Sequence, residues 1–327
     1  MSSKILFLSA ADVDRTLSMQ AAIVVVREAF VDLSAGRADV PVRTPISLGG
    51  DGTALFMPAH VPREETFGVK VVTVVPENLQ RGLPTIQALV AVFDAEDGRP
   101  LAVMDGELLT AVRTGAASGV ASDALARPNA SVAAVIGAGV QGRHQLEAVC
   151  CVRTIREALV FDADRERAEA FATEMGRKLG RTVRVLDKAS GVFAADIVCT
   201  ATSSNLPVVA DPDIKPGAHI NAVGAYRPNT REIPGKMVGR STVVVDSREA
   251  CLQEAGDVVM AMGEGHLEPG YEPAEIGEVL AGTRPGRTDQ AEVTLFKSVG
   301  NAVQDLAVAG LVLEEARRLE LGTEVEL

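Results

Sequence analysis

The pattern of apolar and polar positions changes character part-way along the chain. From residue 131 onward, short apolar runs alternate with amphipathic stretches: SVAAVI (131–136), ALVFD (158–162), TVRVL (182–186), DIVCTAT (196–202), HINAVGA (219–225) and STVVVDS (241–247). Runs of this length, bounded by Gly, Pro and Asp and separated in several places by helical segments, predict parallel strands with helices on both faces, a doubly wound α/β domain. The earlier half reads differently. Residues 21–33 carry apolar side chains at helical spacing, whereas TFGVKVVTVV (66–75) and QALVAVFD (87–94) read as strands. ALVAVFDAEDGRPLAVMDG sets two apolar runs around an Asp-Gly turn, the signal of a hairpin. This half is therefore expected to be α+β with an antiparallel sheet. LARPN (125–129) has the Pro and polar character of a junction, and LFKSVGNAVQDLAVAGLVLEEARRLE reads as one long apolar helix able to return to the first half.

Composition narrows the class. A chain of 327 residues suits two domains, since single cores stop growing near ~250–300 residues. With 47% hydrophobic and 23% charged residues the chain can bury a large core, and a formal charge of −12 opposes nucleic-acid binding, which needs concentrated Lys and Arg. Small molecules or a second copy of the chain are the expected partners. The apolar run in MSSKILFLSAADVDRTLS is too short for a signal peptide, which predicts a cytoplasmic protein. No run approaches the ~20 residues that cross a bilayer. Neither the cysteines (Cys150, Cys151, Cys199, Cys251) nor the histidines (His60, His144, His219, His266) show metal-ligand spacing, so no metal is expected. The adjacent Cys150 and Cys151 read as a redox pair or, as we prefer, as a buried helix end.

The strand SVAAVI leads into GAGVQG and a helical stretch, which fits G-x-G-x-x-G. Gly137 serves the tight turn, Gly139 lets backbone approach a pyrophosphate, and Gly142 permits close packing of helix on strand. Ala138, Val140 and Gln141 complete the loop, whose amides would face phosphates at the helix start. Asp162 ends the next strand, where a carboxylate accepts from an adenosine ribose and repels a 2′-phosphate, favouring NAD over NADP. The same aspartate also reads as a helix N-cap, and Arg165 leaves NADP possible.

Lys70 interrupts an apolar strand and shares a face with Val72 and Val74. An ammonium there needs an anion or a wet cavity, and burial depresses its pKa toward proton transfer at neutral pH; otherwise it is an edge lysine that snorkels. Arg43 in VPVRTP and Arg113 in AVRTGAAS are likewise single guanidinium groups among small or apolar neighbours. Two such forks beside a lysine would grip the carboxylate of an α-keto or α-imino acid.

The ordered set VPVRTP, FMPAH, GVKVV, GLPT, LAVMDG, AVRTGAAS, VIGAGVQG, HINAVGA, EIGEVLAG and LFKSVGNAVQDLAVA resembles the ornithine cyclodeaminase and μ-crystallin family over nearly the whole chain. The resemblance implies a homodimer in which a Rossmann domain (128–302) is inserted into a substrate-binding and dimerisation domain (1–127 plus 303–327). It implies that Arg43 and Arg113 bind substrate carboxylate, that Lys70 is the catalytic acid or base beside the reacting carbon, and that Thr114 holds cofactor phosphate. Ala201, Thr202, Ser203, Val223 and Gly224 would line the cofactor cleft. Cyclodeaminases carry an aspartate where this chain has Tyr226 in AVGAYRPN. The GAYRPN form is more similar to the reductase branch, with Tyr226 either at the substrate or only packing. The resemblance thus implies first an NAD(P)H-dependent reductase of cyclic imino acids, and after it an alanine dehydrogenase, an ornithine cyclodeaminase or a non-catalytic carrier.

Overall fold

In the computed structural model, which describes residues 4–326 and all their side chains but that of Leu79, the first segment opens with β1 (Lys4–Leu8) and two helices, α1 (Ala10–Thr16) and α2 (Met19–Ser34). Ser9 and Asp12 form a reciprocal capping box at α1, and the Ser18 hydroxyl accepts from the Ala21 amide to start α2. Strands β2 (Thr44–Gly49), β3 (Gly52–His60), β4 (Thr66–Val74), β5 (Ile86–Asp94) and β6 (Pro100–Asp105) follow, and then the helix α3 (Gly106–Leu125). The expected hairpin is β5–β6, its turn containing Gly98 at φ +76°.

The second segment contains β7 (Val132–Ile136), α4 (Val140–Val152), β8 (Glu157–Phe161), α5 (Arg165–Leu179), β9 (Val183–Val185), β10 (Ile197–Thr200) and β11 (His219–Ala222). It continues through α6 (Gly235–Arg240), β12 (Ser241–Val245), α7 (Arg248–Glu254), α8 (Gly256–Gly263), β13 (Ala274–Glu275), α9 (Ile276–Leu280) and β14 (Val293–Lys297). The chain ends with α10 (Ala302–Arg318) and β15 (Thr323–Glu326). LFK therefore closes a strand, and the terminal helix starts only at Ala302, capped by Asn301. The apolar run LF is buried in a sheet rather than on a helix face, and the glycine at 300, at φ +75°, separates the two elements.

Two units result, residues 1–113 with 301–327 and residues 114–300. The division falls inside α3, which runs unbroken from Gly106 to Leu125, rather than at LARPN. In the first unit the strand order is β15-β1-β6-β5-β4-β3-β2, antiparallel except for the parallel β1–β6 pair. Helix α10 packs on β3, β4 and β5, with Val303, Leu306 and Ala307 meeting Met57, Ala59 and Val72. Gly68 permits this approach, since a Cβ there would lie 3.1 Å from the Leu306 side chain. In the second unit eight parallel strands run β13-β12-β14-β11-β10-β7-β8-β9. The order reverses at β7, with β8 and β9 to one side and β10 and β11 to the other, the switch point at which doubly wound sheets bind ligands.

Candidate active site

Alternation along β4 turns Lys70 inward with Val72, and the helix packed on that face supplies its anion. The Lys70 ammonium lies 2.7 Å from Asp305 Oδ2 on α10. Arg113 Nε donates to the other oxygen of Asp305 at 2.9 Å, and Arg113 Nη1 donates to Gln304 Oε1 at 2.9 Å. All four residues are buried, where an unpaired charge would be strongly disfavoured. Burial, reinforced by the Arg113 charge and further by Arg43, pushes Lys70 down to about 7 against the opposing pull of Asp305. The amine is thus poised to give or take a proton near neutrality. Arg43, half-buried just before β2, completes a cationic group that a carboxylate can neutralise.

The glycine loop of the second unit follows β7. Gly137 has φ +103°, and a Cβ there would lie 2.4 Å from the Ala201 carbonyl; a Cβ on Gly142 would lie 2.1 Å from the Gly137 carbonyl. Gly139 differs, since a Cβ would meet nothing nearer than the Arg167 guanidinium at 4.0 Å. Backbone contact dictates the first and third glycines, whereas open space beside the second fits a pyrophosphate on the first-turn amides of α4, where Val140 is exposed and Gln141 half-buried. Asp162 belongs to this loop: its Oδ2 accepts from the Ala138 amide at 2.7 Å and its Oδ1 from the Asp164 amide at 2.9 Å. The N-cap of α5 is Asp164, not Asp162. Arg165 is exposed and paired with Asp187 and Glu169. Thr114 lies beside α4, its carbonyl accepting from Gln145 Nε2 at 3.2 Å.

The turn after β10 abuts this loop, and the turn after β11 abuts the turn after β10. Thr202 and Gly224 both donate their amides to the buried carboxylate of Glu232, each at 2.7 Å. The Ala201 amide donates to the Ile136 carbonyl and the Val223 amide to the Thr200 carbonyl, while Ser203 is exposed. Burial raises Glu232 above the usual carboxylate range, and the Lys297 ammonium opposes this. Tyr226 is half-buried against the core of this unit, with the Arg227 guanidinium 5.7 Å from its ring. Tyr226 belongs to the second unit, and Lys70, Arg43 and Arg113 belong to the first. Cys151 is exposed and Cys150 half-buried at the end of α4, so the expected burial holds for neither in full.

Residues 3–320 match the model of the ornithine cyclodeaminase/mu-crystallin family. The chain belongs to this family. Within it, the chain is 39% identical over 324 residues to a Δ1-pyrroline-2-carboxylate reductase of Bacillus cereus, spanning 98% of this chain and 99% of that one. The Thermococcus litoralis Δ1-pyrroline-2-carboxylate reductase, solved with NADH and L-proline, is 43% identical with a TM-score of 0.95, covering 98% of this chain and 100% of the other. An archaeal alanine dehydrogenase dimer with bound NAD is 35% identical with a TM-score of 0.93, covering 99% of each chain. Like other members by fold, this family protein has a Rossmann-like α/β unit.

Asp305, Gln304, Glu232 and Lys297 are not among the residues expected from the sequence. A signal was present for two of them. Asp305 is an isolated acid on an apolar helix, and Lys297 closes an apolar run just as Lys70 interrupts one. The cost of burying a charge without a partner marks both positions.

Proposed function

We propose that this protein is an NAD(H)-dependent reductase of small cyclic imino acids, of the Δ1-pyrroline-2-carboxylate to L-proline type. The observation that carries it is the buried Lys70 ammonium sharing Asp305 with Arg113, in a chain similar end to end to reductases of that substrate. The glycine loop, Asp162, Thr114 and the turns at 201–203 and 223–224 hold the cofactor, which supplies hydride to the imine carbon. Arg43 and Arg113 fix the substrate carboxylate, which presents the C=N bond in one orientation. Lys70 delivers the proton that the ring nitrogen takes up as the carbon is reduced. A bound carboxylate adds negative charge beside Lys70 and favours its protonated form, so substrate binding itself loads the acid. Asp162 favours NADH over NADPH. The working form is a homodimer, supported by Ile46 and Leu48 on β2 and Ile86 and Leu89 on β5, apolar side chains exposed on the first unit.

Alanine dehydrogenase is the second reading, favoured by the full-length likeness to the NAD-bound archaeal enzyme. The two separate in one assay: NADH oxidation by the purified protein with Δ1-pyrroline-2-carboxylate, beside pyruvate plus ammonium, each repeated with NADPH. Turnover with the cyclic imine, faster with NADH, is expected. Turnover with pyruvate and ammonium alone would replace the proposal by the second reading.

A further inference from the structure

Glu232, Asp257 and Lys297 of the second unit are fully buried, and none takes part in the proton transfer proposed above. Two carboxylates and one ammonium in a protein interior are retained against a desolvation cost that apolar side chains would avoid. Their hydrogen bonds show what this charge holds. Glu232 Oε1 accepts from the amide and hydroxyl of Thr202, at 2.7 and 2.8 Å. Glu232 Oε2 accepts from the Gly224 amide at 2.7 Å and the Thr200 hydroxyl at 2.9 Å. Four donors fill a carboxylate. Behind it, Asp257 Oδ1 accepts from the amides of Glu232 and Ile233, each at 2.8 Å. The Lys297 ammonium lies 2.9 Å from Asp257 Oδ2 and donates to the Ala225 carbonyl. The turn after β10 thus hangs on one oxygen of Glu232 and the turn after β11 on the other.

The two turns lie on the side of the switch point opposite Asp162. A dinucleotide crossing there puts its adenosine half toward β8 and its nicotinamide half at the ends of β10 and β11. We propose that Glu232 is a positioning residue for the nicotinamide half, locking the turns at 201–203 and 223–224 into one rigid seat that Asp257 and Lys297 brace from behind. The proposal rests on the reading of those turns as cofactor-binding.

The test compares NADH with ADP, which lacks the nicotinamide and its ribose, by calorimetric titration of the full chain and of Glu232→Gln and Thr200→Val. Glutamine offers one acceptor oxygen and one NH2 group, so one of the two turn amides would face a donor. The expected result is NADH affinity about tenfold weaker in Glu232→Gln and about threefold weaker in the near-isosteric Thr200→Val. ADP affinity should stay within about twofold of wild type in both, on the same scale. Equal losses for the two ligands, or no loss of NADH affinity, would overturn the proposal by reducing the network to general support. If Glu232→Gln does not fold, Thr200→Val decides alone. Failure of the wild-type chain to bind NADH would instead sink the cofactor reading, and this proposal with it.

Discussion

Lys70 is held at about 7 by opposing neighbours, and each of them can be changed separately. Burial and the Arg113 and Arg43 charges favour the neutral amine, while Asp305 favours the ammonium. The proposed reduction needs the ammonium, so kcat should fall as pH rises through the pKa of Lys70 in the substrate complex. Asp305→Asn removes the opposing negative charge, which lowers that pKa further and moves the alkaline limb to lower pH. A displacement of about one unit or more is expected, the usual effect of an adjacent opposite charge. A limb left in place would assign it to another group. Lys70→Met should lower kcat by about 10²–10⁴-fold, the range of a lost general acid, with NADH affinity unchanged. Comparable kcat in that variant would remove Lys70 from the mechanism.

At the scale of elements, the strand, glycine loop and helix β7–α4 give a prediction that separates fold from binding. Gly139 has φ −81° and ψ −170°, backbone that alanine adopts freely, and open space where its Cβ would go. Gly139→Ala should cost no more than about 1 kcal/mol of stability, the usual penalty of alanine at an N-cap, yet weaken NADH binding about tenfold or more by occupying the phosphate space. Gly142→Ala should instead lower the melting temperature, because its Cβ would overlap the Gly137 carbonyl. Equal NADH affinity in Gly139→Ala and wild type would refute the loop as phosphate cradle. This element was legible because its chemistry is contiguous: an apolar run, three glycines at fixed spacing and an acid one strand later. Lys70 was legible for a related reason, since the period of a strand alone puts it on an apolar face. Asp305 was not, because its bond to Arg113 spans 192 residues, and no local spacing announces it. The boundary between β14 and α10 was lost because VTLF and LAVAGLVL are both apolar. A four-residue run shows no period that tells strand from helix.

For the whole molecule, the decisive feature is that the first unit is discontinuous, its parts 1–113 and 301–327 joined through the second. If residues 114–300 melted alone, α10 would be tethered to the sheet it packs on by a long flexible loop. Closing that loop costs about 4–5 kcal/mol, a large share of the roughly 5–15 kcal/mol that stabilises a domain. Helix α3 is also continuous across the division, so melting one side frays the other. The loop-closure cost and the unbroken helix together favour a single calorimetric transition. NADH at about 100 times its Kd adds about 2.7 kcal/mol to the native state. Spread over the unfolding entropy of the whole chain, about 2.1 cal/mol/K per residue, this raises the midpoint by roughly 4 °C. Confined to residues 114–300, it would raise that unit's midpoint by roughly 7 °C and leave the other in place. Scanning calorimetry with and without NADH distinguishes these. One peak moving by the smaller amount is expected, whereas two peaks of which one moves would show that the inserted unit unfolds on its own.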